Sequence, residues 1–201
     1  ALCCLASFPE GRQLLIDDAV LRSKITAQGL NAVVDEGQWK GLSALFFFAL
    51  SKVGRQLFID DADLRAKITY EGLNAVTADG KSALLFIAAY PEGRKLLVDD
   101  KGLRDKITAE GLNAALSGGL DSGKSALFFL AGNHDGLQLL EEDKALRNKI
   151  TDRGLNAIVA EGDDKGKSAL FFLAGNPEGL QLLIDDKDLR GKITADGLKA
   201  F

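Results

Sequence analysis

Apolar residues along this chain gather in short bursts that return at near-regular intervals. The burst ALFFFAL, Ala44 to Leu50, is followed by a turn, a half-apolar stretch QLFIDD, a segment DLRAKIT and a closing EGLNAV. The burst does not alternate strictly, so its pattern alone admits a buried strand as well as a buried helix. The residues around it favour helix. Ser43, Ser82, Ser125 and Ser168 stand immediately before such bursts, where a hydroxyl accepts a hydrogen bond from a free first-turn N–H. Pro9–Glu10, Pro91–Glu92 and Pro177–Glu178 suit the next helix start, because proline lacks an N–H that would be unpaired there and the dipole favours an acid. Leu14 and Leu21, like Leu57 and Leu64, are spaced by seven, and Leu21 and Ile25 by four, which predicts a shared helical face. Thr26, Thr69, Thr108, Thr151 and Thr194 are placed to cap one more short helix. Valine, isoleucine and threonine nowhere alternate with polar residues for long, so strand signals are weak.

The bursts belong to an internal repeat. ALCCLASFPEGRQLLIDDAVLRSKITAQGLNAV, from Ala1, aligns with ALFFFALSKVGRQLFIDDADLRAKITYEGLNAV, from Ala44, and further copies start at Ala83, Ala126 and Ala169. The units are 1–43, 44–82, 83–125, 126–168 and a truncated 169–201. All variation in length falls between the Asn-Ala pair and the next Ser-Ala-Leu, which marks a surface loop. Each unit is predicted to hold three or four short helices. One unit cannot bury its apolar faces alone, so the expected fold class is all-α, an α-solenoid of about five stacked repeats forming a single array. The chain starts at alanine and has no methionine, so a piece of a longer protein is expected.

The 39-residue unit carries a family likeness. LNAVTADGKSALLFIAAYPEGRKLLVDD, Leu73 to Asp100, resembles the ankyrin repeat. The matching features are Asn74–Ala75, Asp79–Gly80, Ser82–Ala83–Leu84, Ala88–Ala89, Gly93 and Leu96–Leu97. The unit is enlarged by DDKGLRDKIT and its counterparts. The 43-residue unit, with LAGNPEGLQLLID, is also similar to the armadillo or HEAT type, the second choice. Either resemblance implies a non-enzymatic scaffold that presents an extended surface to a protein partner. Ankyrin-like arrays are common in proteins that bacteria deliver into host cells, so the partner-binding region of a bacterial effector is one implied setting.

Composition narrows the partners. The net charge is −4, and a net acidic chain is a poor candidate for sequence-independent nucleic-acid binding. No apolar run approaches the roughly 18 residues a membrane span needs, so no membrane association is expected. No secretory signal is visible. With only Cys3 and Cys4, a reducing compartment and a cytoplasmic location are expected.

Several stretches are candidates for chemistry. GGLDSGKS, Gly118 to Ser125, fits the phosphate-binding pattern G-x-x-x-x-G-K-[ST], which needs a strand before it and a long helix after it. The preceding AEGLNAAL is not strand-like, and Gly-Lys-Ser recurs at Gly80 and Gly166; nucleotide binding through Lys124 is the least favoured alternative. Cys3 and Cys4 occupy the positions of Phe46–Phe47 and Phe128–Phe129 and are expected to fill the core. His134, the one histidine, replaces the proline of Pro9 and Pro91 and is expected to be a contact residue. The pairs Asp17–Asp18, Asp60–Asp61, Asp99–Asp100, Glu142–Asp143 and Asp185–Asp186 precede Arg22, Arg65, Arg104, Arg147 and Arg190. Stacking would align them into ladders of opposite sign, chiefly setting register and solubility. The arginine ladder is also the route for the other alternative, a nucleic-acid-binding array. Asn31, Asn74, Asn113 and Asn156 are expected to bond nearby backbone. No catalytic, cofactor-binding or metal-ligating set is predicted. Specificity is expected at positions that differ between units: Phe8, Tyr90 and Asn133 at the first inter-helix turn, His134 beside it, and Trp39 in a long loop. The expected oligomeric state is a monomer, or weak self-association through exposed repeat ends.

Overall fold

A computed structural model describes residues 1–37 and 39–199 of the chain; the last two residues of the fifth unit and Gln38 lie outside the described residues. Among the described residues the fold is all-helical, with nineteen α-helices, one 3₁₀ turn and no strand. The first unit holds α1 (Leu2–Ser7), α2 (Pro9–Asp17), α3 (Ala19–Ser23) and α4 (Ala27–Asn31). The second holds α5 (Ala44–Leu50), α6 (Lys52–Asp60), α7 (Ala62–Ala66) and α8 (Tyr70–Asn74). The third holds α9 (Ala83–Ala89), α10 (Pro91–Asp99), α11 (Lys101–Asp105) and α12 (Ala109–Asn113). The fourth holds α13 (Ala126–Ala131), α14 (His134–Glu142), α15 (Lys144–Arg147) and α16 (Asp152–Asn156). The fifth holds α17 (Ala169–Gly175), α18 (Pro177–Asp185), α19 (Lys187–Arg190) and the 3₁₀ turn Gly197–Lys199. Among the described residues no helix is long and apolar enough to cross a membrane.

The helix starts follow the capping residues. Ser43, Ser82, Ser125 and Ser168 accept from the N–H three residues on, at 3.2, 3.0, 3.2 and 3.1 Å. Thr26, Thr69, Thr108 and Thr151 do the same for the fourth helix of their units. Pro9, Pro91 and Pro177 open α2, α10 and α18.

The seven-residue spacing does not describe one helix. Asp18 and Asp61 adopt extended backbone, end α2 and α6, and accept from the N–H groups of Leu21 and Leu64 to start α3 and α7. An aspartate that caps a new helix competes with continuation of the old one. Leu14 and Leu21 therefore sit on two helices, and Ile25 follows the end of the second.

Successive units pack helix against counterpart. The first helices contact in the order α1, α5, α9, α13, α17, and the second helices in the order α2, α6, α10, α14, α18. One cluster of buried apolar side chains runs from Ala6 to Leu189. Within a unit the first two helices approach until a glycine touches the partner's backbone: a Cβ on Gly93 would overlap the Ile87 carbonyl.

Two hydrogen-bonded ladders join the units. Asn74 Nδ2 donates to Tyr70 O and to Lys106 O of the next unit, both at 2.7 Å, while its Oδ1 accepts from Thr108 N at 2.9 Å. Asn31, Asn113 and Asn156 repeat this pattern toward Thr69, Thr151 and Thr194. The asparagines thus bond local backbone, as their spacing predicts, and also clamp the neighbouring unit. The second ladder is ionic: Arg22–Asp61, Arg65–Asp100, Arg104–Asp143 and Arg147–Asp186, at 2.8, 2.7, 3.2 and 2.9 Å.

Candidate partner-binding surface

From the second unit on, the first helix carries two neighbouring large side chains, Phe46–Phe47, Leu85–Phe86, Phe128–Phe129 and Phe171–Phe172. Phe46 packs edge-on against Phe47 and against Phe86 of the next unit, with centroids 5.5 and 5.3 Å apart. Phe128 does the same with Phe129 and Phe172, at 5.6 and 5.1 Å. Phe128 is buried, whereas Phe86, Phe129 and Phe172 remain half-buried. Cys3 and Cys4 hold these two positions in the first unit. Cys3 is half-buried and packs on the core, but Cys4 is exposed. Core filling therefore fails for Cys4, whose counterparts Phe86 and Phe172 instead pack on Phe46 and Phe128 of the unit before them. Burial, aided by the neighbouring Cys4, raises the Cys3 thiol above its ordinary pKa.

At the edge of the stacked first helices lies the turn between first and second helices. Its central residue is Phe8, Ser51, Tyr90, Asn133 or Asn176, and each is the N-cap residue of the second helix. Phe8 is 54% exposed and Tyr90 39%. The Tyr90 ring lies under the Arg55 guanidinium, 3.8 Å from centroid to Cζ. Asn133 is half-buried and its amide donates to Phe129 O at 2.7 Å. His134 is exposed, with Nδ1 3.5 Å from Glu178. Trp39 is half-buried; its loop folds back so that the indole meets Phe47 edge-on at 5.4 Å and Phe8 at 6.3 Å. The structure thus joins Phe8 and Trp39 in one cluster and sets Asn133 and His134 together three units further along. There they border a cleft of about 260 Å³ with Phe171, Phe172 and Asn176 on its walls.

Two further residues of this edge were not singled out from the sequence. Leu50 is 41% exposed and Val53 44%. Their signal lay in the alignment: Leu50 replaces Ser7, Ala89, Gly132 and Gly175, and Val53 replaces Glu10, Glu92, Asp135 and Glu178.

Arg12, Arg55 and Arg94 lie beneath the edge and were likewise missed. Arg55 Nη1 donates to Ala49 O and Leu50 O, and Arg94 Nη1 to Ala88 O and Ala89 O, closing the last carbonyls of α5 and α9. Arg55 also meets Glu92 at 3.4 Å. Burial pulls the Arg94 guanidinium below the ordinary arginine value, with partial compensation from Asp135 and Glu92.

The Gly118–Ser125 stretch does not form a phosphate cradle. The segment before it is a loop, and the helix after it, α13, has six residues. Lys124 is buried, its Nζ held by Asp121 at 2.7 Å and by Asp164 of the next loop at 2.8 Å. Burial alone would lower its pKa, but the two carboxylates outweigh burial and raise it. The ammonium is thus already neutralised. The arginine ladder is similarly occupied, since Arg22, Arg65, Arg104 and Arg147 each face an aspartate. Of the acidic pairs, the second member caps a helix, and from the second unit on it also takes the arginine of the unit before it. Comparison with known family models, curated proteins and solved structures yields no match.

Proposed function

We propose that this chain is a non-enzymatic scaffold that binds a protein partner along the edge of the stacked first helices. The observation that carries this is the strip Phe8, Leu50, Val53 and Tyr90, all substantially exposed, on three consecutive units whose α1, α5 and α9 pack side by side. The constant positions of the repeat are used in packing, capping and the two ladders. This strip varies between units, and its packing duties are confined to the Phe8 ring against Trp39 and the Tyr90 ring under Arg55. Exposed apolar residues rimmed by charges such as Lys52, Glu10 and Glu92 are the usual make-up of an interface centre and its rim. Aromatic anchors would carry most of the energy. The cleft beside Asn133 and His134 would accept one further side chain.

The test is capture from cell lysate by the immobilised chain, with Phe8→Ala/Tyr90→Ala beside the parent and Gln138→Ala as a control on the helix surface. Selective loss of a stoichiometric partner with the double variant is expected. Unaltered capture by that variant would move the interface elsewhere. Trp39 is a poorer probe, because its ring also packs on Phe47.

A further inference from the structure

Arg12, Arg55 and Arg94 lie beneath the strip, and two positions of the following unit decide whether each is paired. Arg55 is satisfied by both. Its Nε and Nη2 each donate to Glu92 Oε2 at 3.4 Å, and the Tyr90 ring covers the face of the guanidinium. Its Nη1 meanwhile closes α5 through Ala49 O and Leu50 O. Arg94 repeats this last contact on α9, with Nη1 donating to Ala88 O and Ala89 O at 3.0 Å. Its guanidinium is thus held as in Arg55, with Nε and Nη2 toward the next unit, where Asp135 is within electrostatic reach. There Asn133 and Asp135 stand in place of Tyr90 and Glu92. Aspartate is one methylene shorter than glutamate, and no hydrogen bond or ion pair joins Asp135 to Arg94 among the described residues. The Asn133 amide is taken up by Phe129 O. Arg94 is 6% exposed, and its buried Nε has no hydrogen-bond partner among the described residues. At Arg12, where the two positions hold Ser51 and Val53, Nε is again without one.

We propose that Arg94 is the receptor for a carboxylate side chain of the protein partner, held at Nε and Nη2 as Glu92 is held on Arg55. The inference rests on the reading that the partner lies along the strip, and it adds the partner's chemistry: an aspartate or glutamate beside an apolar residue. The apolar residue lies on Tyr90, and the acid enters over Asn133, where no ring covers the guanidinium. A buried cation with an open donor edge is costly. A carboxylate relieves that cost, because its two oxygens match the side-on fork of a guanidinium. The charge balance makes such a choice specific. The chain carries a net charge of −4 and repels acidic segments in general, so preference for an acid reports one site rather than bulk attraction.

Selection from a random peptide library on the immobilised 201-residue chain tests this. Enrichment of aspartate or glutamate next to an aromatic or aliphatic residue is expected. Arg94→Gln should weaken the selected peptides about tenfold or more. Because Arg94 also closes α9, Asp135→Glu is the second probe. It restores the reach of Glu92 and fills the donor edge from within the chain. The same peptides should weaken to a similar degree, while the unfolding midpoint stays at or above the parent's. Selected peptides without an acid, or peptides that bind Asp135→Glu as tightly as the parent, overturn the carboxylate site, as does a library that yields no binder. Phe8→Ala/Tyr90→Ala separates this site from the strip. Loss of binding with that variant alone keeps the strip and removes the Arg94 site. Loss with Arg94→Gln and Asp135→Glu alone keeps the Arg94 site and moves the rest of the interface elsewhere.

Discussion

A single asparagine shows how much one residue does in this fold. Asn74 is buried and uses both ends of its amide, bonding its own helix, the next unit's Lys106 carbonyl and the next unit's Thr108 N–H. Replacing it by alanine strands a buried donor and acceptor, which costs about 1–3 kcal/mol. Asn74→Ala should lower the urea midpoint accordingly. Gly111→Ala should do so as well, since its Cβ would land on Asn74 Oδ1. An equal midpoint for both variants and the parent would remove the clamp from the account. Lys124 makes a parallel case. Calorimetric titration of ATP or GTP should give no saturable heat, because the ammonium is buried between Asp121 and Asp164. Lys124→Met should instead lower stability by leaving Asp121 without its cation and Asp164 with Lys167 alone. Saturable nucleotide binding lost on that substitution would reverse this assignment.

At the scale of elements, short helices survive because their ends are closed. A five-residue helix has almost no intrahelical bonding beyond its first turn, so its stability is set by caps and packing. Removing the Ser125 hydroxyl should cost about 1 kcal/mol, read as a lower melting midpoint for Ser125→Ala. Closure of the first helix is done in two ways. Arg55 and Arg94 reach the last carbonyls of α5 and α9, whereas in the fourth unit, where Leu137 replaces the arginine, Asn133 donates to Phe129 O. The junction aspartates also set the pH response. Burial pushes the Asp61, Asp100 and Asp143 carboxyls up, but the cap N–H groups and the neighbouring arginines outweigh it and leave them below the ordinary aspartate range. Folded carboxyls that bind protons less readily than unfolded ones contribute stability in full above the unfolded value, about 3.9. That contribution is lost as pH falls through the depressed folded values. The melting midpoint should therefore hold from neutral pH to about 5 and drop below about 4. Asp100→Asn, which keeps a capping side chain, should shrink the acid drop; an unchanged drop would assign it to other groups.

At the scale of the whole molecule, each unit is covered by its neighbours in the stack. The middle units are covered on both sides, and the outer two on one. Leu73 and Leu112 are fully buried, while Leu198, the equivalent in the fifth unit, is 72% exposed. Stability in stacked repeats is approximately a sum of unit and junction contributions. Amide hydrogen exchange should accordingly be slowest in α5, α9 and α13 and faster in α1, α3, α17 and α19. Uniform protection along the chain would mean a single cooperative unit instead.

The capping serines and threonines, the helix-start prolines and the repeat itself are written in local chemistry, so the sequence alone determined that the chain is helical and where most helices begin. It also placed the acidic and basic ladders, because residues at fixed offsets must align if units stack. The break at Asp18 and Asp61 was hidden, since a leucine spacing of seven is compatible with one continuous helix until the aspartate commits to capping the next. Only the tertiary structure decided which apolar residues stay outside. Cys4 stands at a position that phenylalanine fills in the other units, yet it is exposed, and Leu50 belongs to an apolar burst yet is 41% exposed. It likewise decided that Lys124 faces two carboxylates rather than solvent, because Asp164 comes from a loop one unit away. Exposure and charge pairing depend on which unit lies across the gap, and that information is not local to any stretch of chain.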